Sequence, residues 1–133
     1  MDGGGGRRFR LTQPVAPEDE LHYAVYCALR VLLHSTAVIH THEARNARDA
    51  IEGARRKRLG QQAGWPDMSV WYRGRVVLLE LKRARGGVLS PAQRLLHPRL
   101  AAAGFPVAVC RSVEEALDAV AAAGIKLRGR VAA

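Results

Sequence analysis

Apolar residues recur at helical spacing from residue 17 to 34, where Leu21, Val25, Ala28, Leu29 and Leu32 fall along one face. Pro17 suits the first turn of such a helix. Glu18, three residues before Leu21, shares the inward face, whereas Glu20 lies off it. Ala37-Val38-Ile39-His40-Thr41 reads as a short strand. Residues 43–63 turn strongly polar, and the pattern predicts a helix from about Asp49 to Leu59, ended by Gly60. Two strands follow at roughly 67–73 and 75–82, joined by a tight turn around Arg73-Gly74. Ser90 caps a helix that starts at Pro91 and runs to Ala103, with Gly104 ending it. Pro98 falls inside that span and predicts a kink or a shortened helix. Pro106 to Arg111 is another strand. Ser112, followed three residues later by Glu115, forms a capping box for a last helix through Ala122.

The order αβ(α)ββαβα predicts an α/β fold, a central mixed sheet with helices on both faces. Residues 1–16 carry Gly3 to Gly6, three Arg and one Pro, and read as a flexible basic tail. Residues 17–126 then make a single domain and 127–133 a short C-terminal tail. No segment repeats another.

The run Arg-Val-Val-Leu-Leu-Glu-Leu-Lys at 75–82 is apolar on both alternating faces, the mark of a buried strand. Val76, Leu78, Glu80 and Lys82 share one face and Val77, Leu79 and Leu81 the other. Glu80 and Lys82 thus close a core element, where an unpaired charge is costly. A divalent cation held jointly with Asp67 would compensate them.

Composition narrows the partner. With 48% hydrophobic and 25% charged residues the 133-residue chain is globular, and its net charge of +9 suits an acidic polymer. An anionic membrane surface fits the charge equally, but no segment approaches the length of a transmembrane helix. The 18 Arg against Lys57, Lys82 and Lys126 favour phosphate forks, though coding bias gives the same imbalance. Cys27 and Cys110, far apart in apolar contexts, read as reduced core thiols of a cytosolic protein. Arg7-Arg8-Phe9 lacks the apolar stretch a twin-arginine signal needs.

Phosphodiester hydrolysis needs a metal to activate water and to stabilise charge on the phosphorus oxygens. Asp67 and Glu80 offer the hard oxygens that select Mg²⁺ or Mn²⁺, and the Leu81 carbonyl could add a ligand. Lys82, on the Glu80 face, is placed to orient or deprotonate the attacking water. Pro66-Asp67 with Glu80-Leu81-Lys82 resembles the PD-(D/E)xK nuclease signature. The ordered set goes further: Gly64-Trp65-Pro66-Asp67, Leu79-Glu80-Leu81-Lys82, Gly86-Gly87, Leu89-Ser90-Pro91-Ala92-Gln93 and Gly104 to Ser112 resemble the VRR-NUC (virus-type replication-repair nuclease) family over roughly residues 18 to 122.

That resemblance implies a restriction-endonuclease-like core of αβββαβ type. It implies Asp67 and Glu80 as metal carboxylates, Lys82 as the catalytic lysine, and Gln93 and Glu18 as further parts of the site. It also implies a standalone, homodimeric, Mg²⁺- or Mn²⁺-dependent endonuclease that cuts branched DNA such as four-way junctions, in bacterial or phage-infected cytoplasm. His42-Glu43 stands where the family often has Asn-Glu, and Pro98 is a second departure. A non-catalytic DNA-binding module and an RNA-directed nuclease are the alternatives.

The basic run Arg55-Arg56-Lys57-Arg58, with Arg45, Arg48, Arg83 and Arg85, is expected to contact phosphates without reading bases. Of the five histidines, His40 and His42 alternate on a strand, but no further ligand has zinc spacing. Trp65 and Trp71 flank Asp67 and are expected to be packing residues.

Overall fold

A computed structural model describes residues 17–42 and 47–129. The expected N-terminal tail, Glu43 and Arg45 lie outside the described residues. Helix α1 spans Pro17–Leu32, opening with Glu18, Asp19 and Glu20, whose charges suit the positive end of the helix dipole. Its buried stripe is Val25, Leu29 and Leu32. Cys27 faces away from that stripe and is exposed, so only Cys110 is a core thiol. The reason is angular, because residue 27 lies about 200° around the helix from Val25.

Strand β1 is Val38–Thr41, α2 is Ala50–Arg58, β2 is Met68–Tyr72 and β3 is Arg75–Leu81. Then come α3 at Pro91–Ala102, β4 at Val107–Cys110 and α4 at Val113–Ala122. The sheet order is β1-β2-β3-β4, antiparallel for the first two pairs and parallel for β3 with β4. Tyr72 pairs with Arg75 across a two-residue turn in which Arg73 (φ 47°) and Gly74 (φ 77°) are both left-handed. Such a turn matches the twist of its flanking strands.

One face of the sheet carries the main core, where Met68, Val70, Val77, Leu79 and Leu81 pack against α1 and α4. The other face presents Ser69, Leu78 and Glu80, all buried. Helix α3 lies on this side, with Leu96 buried and His97 facing Glu80. Helices therefore flank the sheet on both faces, as the alternation of strand residues predicts.

The structure differs from the pattern in four places. Helix α3 is not cut short at Pro98 but continues to Ala102. Its start is fixed by a capping box between Ser90 and Gln93, and Pro98 sits on the exposed side of the helix. Ser112 caps α4 as expected, accepting the Glu115 N–H at 3.1 Å, but the Glu115 carboxylate accepts from the Arg111 N–H at 2.8 Å instead of from Ser112. Trp71 is half exposed, its indole N–H donating to Ser69 Oγ at 2.8 Å, and Trp65 is 36% exposed. The segment from 127 begins by docking: the Arg128 N–H donates to the Leu32 carbonyl at 2.7 Å and its guanidinium to the Val31 carbonyl at 3.0 Å. These bonds satisfy carbonyls that the end of α1 leaves open.

Candidate active site

Glu80 is the penultimate residue of β3 and is 1% exposed. Lys82 follows the strand but stays in its register, because its N–H donates to the Cys110 carbonyl at 3.0 Å. The two side chains thus share a face, and Lys82 Nζ lies 3.8 Å from Glu80 Oε2. Asp67 comes from the residue before β2, where its carbonyl accepts the His42 N–H at 2.8 Å. Extending the pairing of Met68 with Leu79 by one residue sets Asp67 opposite Glu80. Its carboxylate accepts the Leu81 N–H at 2.7 Å. Strand pairing, not chance proximity, brings Asp67, Glu80, Leu81 and Lys82 together.

The electrostatics of this group are unbalanced. Burial pushes the Glu80 carboxyl up to about 9, and hydrogen bonding to Asp67 and the Asp67 charge push the same way. Lys82 opposes the shift and Glu18 adds to it. Burial also lowers His97, helped by the Lys82 charge and opposed by Asp67. Glu80 Oε1 and His97 Nε2 lie 3.6 Å apart, both buried and both without a hydrogen-bond partner. Buried polar atoms are nearly always paired, so a bare carboxyl oxygen beside a second carboxylate fits a cation as its missing partner. Among the described residues no group of three His, Cys, Asp or Glu side chains is arranged for a metal. An ion here would take two carboxylates and complete its shell with water, phosphate and a backbone carbonyl, the habit of Mg²⁺.

Gln93 lies on the first turn of α3 and lines a groove of about 380 Å³ together with Asp67, Trp65, His42 and residues of α2. Its side-chain oxygen accepts the Ser90 N–H at 2.8 Å, so it fixes the start of α3. Gly64 holds the Asp67 loop against that start. At φ +83° a Cβ there would lie 2.7–2.8 Å from backbone atoms of Ala92 and Gln93. Glu18 is exposed, near enough for its charge to act on Glu80, and lines a separate groove of about 370 Å³ with Arg83, Gly86 and Gly87.

The basic residues divide into two groups. Arg55, Lys57, Arg58, Arg83 and Arg85 are exposed. Arg48 and Arg56 instead bracket Glu52, at 3.0 and 2.7 Å, in an i,i+4 ladder. The Arg48 backbone N–H, donating to Glu52 at 2.7 Å, is the main cause that holds the Glu52 carboxyl below its usual range, helped by the two guanidinium groups. This ladder and the Asp49 cap explain why α2 forms although none of its residues is buried. Arg45 is outside the described residues. His97 escaped the sequence reading, although its position four residues after Gln93 puts both on one face of α3.

The architecture is a four-stranded mixed sheet with helices on both faces. No family model matches the sequence, and no curated protein matches it. Among solved structures, one described as a VRR_NUC domain protein is similar with a TM-score of 0.63 and 22% identity, covering 86% of this chain and 93% of that one. A second, described as a VRR_NUC domain, gives a TM-score of 0.56 and 18% identity over 81% of this chain and 97% of that one. The chain has the fold of VRR_NUC domains.

Proposed function

We propose that this chain is a metal-dependent VRR-NUC nuclease that hydrolyses phosphodiester bonds in DNA, preferring branched forms such as four-way junctions. The observation that carries this reading is the Asp67 carboxylate bound to the Leu81 amide between Glu80 and Lys82, within a fold shared with VRR_NUC domains. Asp67 and Glu80, with the Leu81 carbonyl, would hold Mg²⁺ or Mn²⁺. Such an ion polarises the phosphoryl group and lowers the pKa of bound water. Lys82 orients the attacking water and offsets the charge that builds on the phosphate oxygens. Gln93 keeps α3 and the Asp67 loop in register, and Glu18 borders the site on its other groove. Arg83, Arg85 and the exposed basic residues of α2 position the sugar-phosphate backbone. A two-fold homodimer would supply one site per strand of a symmetric junction.

The test is cleavage of labelled four-way junction, duplex and single-stranded DNA and of matched RNA, each with Mg²⁺, Mn²⁺ or EDTA. Metal-dependent cuts placed symmetrically about the branch support the proposal. Tight DNA binding without cleavage under either metal would replace it with a binding module, and preferential RNA cleavage would replace the substrate.

A further inference from the structure

The groove beside Asp67 has features that phosphodiester chemistry alone does not require. Trp65 forms part of its wall with 36% of its surface exposed, although tryptophan carries the largest apolar payload of any side chain. Its mounting is rigid. Gly64 before it is locked against the first turn of α3, and Pro66 after it is fully buried. Lys57 is exposed on α2 at the same groove, and Gln61 adds an exposed amide. Asp67 itself lines the groove, so whatever enters lies next to the Asp67 carboxylate. The volume of about 380 Å³ falls at the small end of ligand pockets, which begin near about 300 Å³.

We propose that this groove is a subsite for one unpaired nucleotide next to the cleaved phosphate, with Trp65 stacking on its base and Lys57 holding its phosphate. A fixed aromatic plane beside a cation is how proteins grip single-stranded nucleic acid without reading sequence. Within a continuous duplex each base is already stacked on its neighbours and cannot reach Trp65. Gaps, unpaired ends and opened branch points present such a base. The subsite therefore selects for unstacked DNA at the cut, and this rests on the nucleic-acid reading of the site.

The chain has two tryptophans, so a Trp71→Phe variant leaves Trp65 as the sole reporter of indole fluorescence. This variant is titrated in EDTA with oligothymidylate, with an abasic strand of equal length and with a blunt duplex. Oligothymidylate is expected to quench Trp65 and to bind about tenfold more tightly than the abasic strand. Read by anisotropy of labelled strands instead, Trp65→Ala should erase that preference and Trp65→Phe should keep most of it. Equal binding and equal quenching by normal and abasic strands would overturn the subsite. Mg²⁺-dependent cleavage is followed in parallel on a duplex and on the same duplex carrying a gap. Cleavage without any base-dependent quenching removes the subsite and leaves the nuclease standing. Base-dependent quenching without cleavage supports the subsite and removes the nuclease.

Discussion

The Asp67 carboxylate accepts the Leu81 backbone N–H at 2.7 Å, which pins an acidic side chain from the head of β2 across to the end of β3. One carboxylate oxygen is thereby committed to structure while the group's charge bears on Glu80. Asp67→Asn can still accept that N–H, whereas Asp67→Ala leaves it without its partner. Asn is expected to unfold near the wild-type urea midpoint and Ala to cost about 1 kcal/mol. Both should slow cleavage by about 100-fold or more, since neither provides the charge an ion requires. Cleavage by Asp67→Asn at the wild-type rate would separate Asp67 from the chemistry.

Glu80 gives the metal-free protein a pH dependence of definite sign. Its folded value of about 9 lies above its usual 4.5, so in that interval the folded protein holds a proton that the unfolded chain releases. Stability should therefore fall as pH rises through this range. The lowered His97 acts only on the acid side, below its usual 6.5, and the raised Cys110 only above its usual 9.0. Between about pH 7 and 8.5 in EDTA, Tm should decline for the wild type and stay level for Glu80→Gln. Ion binding expels the same proton, so Mg²⁺ affinity should rise by up to about tenfold per pH unit across that window. A level wild-type Tm would mean that Glu80 is already ionised.

His97 is the nearest imidazole to Glu80, and its buried Nε2 has no other partner. Once Glu80 is ionised, a neutral His97 can donate to it and orient it. His97→Leu should weaken Mg²⁺ affinity by about tenfold with little loss of stability, because it removes an unpaired polar atom from the interior. His97→Gln should recover part of the affinity. Isothermal titration with Mg²⁺ separates these outcomes, and unchanged affinity in the Leu variant would deny His97 a positioning role.

Two glycines with similar backbone angles should respond differently to alanine. Gly60 (φ +93°) has nothing within 4 Å of the added Cβ, so Gly60→Ala should cost about 1 kcal/mol from backbone strain alone. Gly64→Ala adds a collision with the first turn of α3 and should cost about 3 kcal/mol or more. It should also slow cleavage, because Asp67 and Gln93 are tied to that contact. Urea unfolding of the two variants checks the difference, and equal costs would show that the loop moves freely.

The main elements were legible because local signals agreed with the fold. The two-faced apolar run of β3, the caps at Ser90 and Ser112, and the Arg73-Gly74 turn each act within a few residues. The juxtaposition of Asp67 with Glu80 was legible once the hairpin was, since register sets one strand's end opposite the other's. What escaped depends on distant parts of the chain. The wall position of Trp65 is decided by which elements leave the groove uncovered. His97 gains its significance only when α3 packs over Glu80. Pro98 misled because its local penalty is real but falls on a solvent-facing turn of a well-capped helix.

The central claim is that Lys82, 3.8 Å from Glu80 at the end of β3, acts on the reacting phosphate and does not merely pair a buried acid. The most direct measurement is single-turnover cleavage of a labelled four-way junction by wild type and Lys82→Ala, at matched DNA occupancy in saturating Mg²⁺. The account predicts rates at least about 100-fold lower for Lys82→Ala, with DNA affinity and fold retained. Equal rates at equal occupancy would contradict it and place the chemistry elsewhere on the molecule.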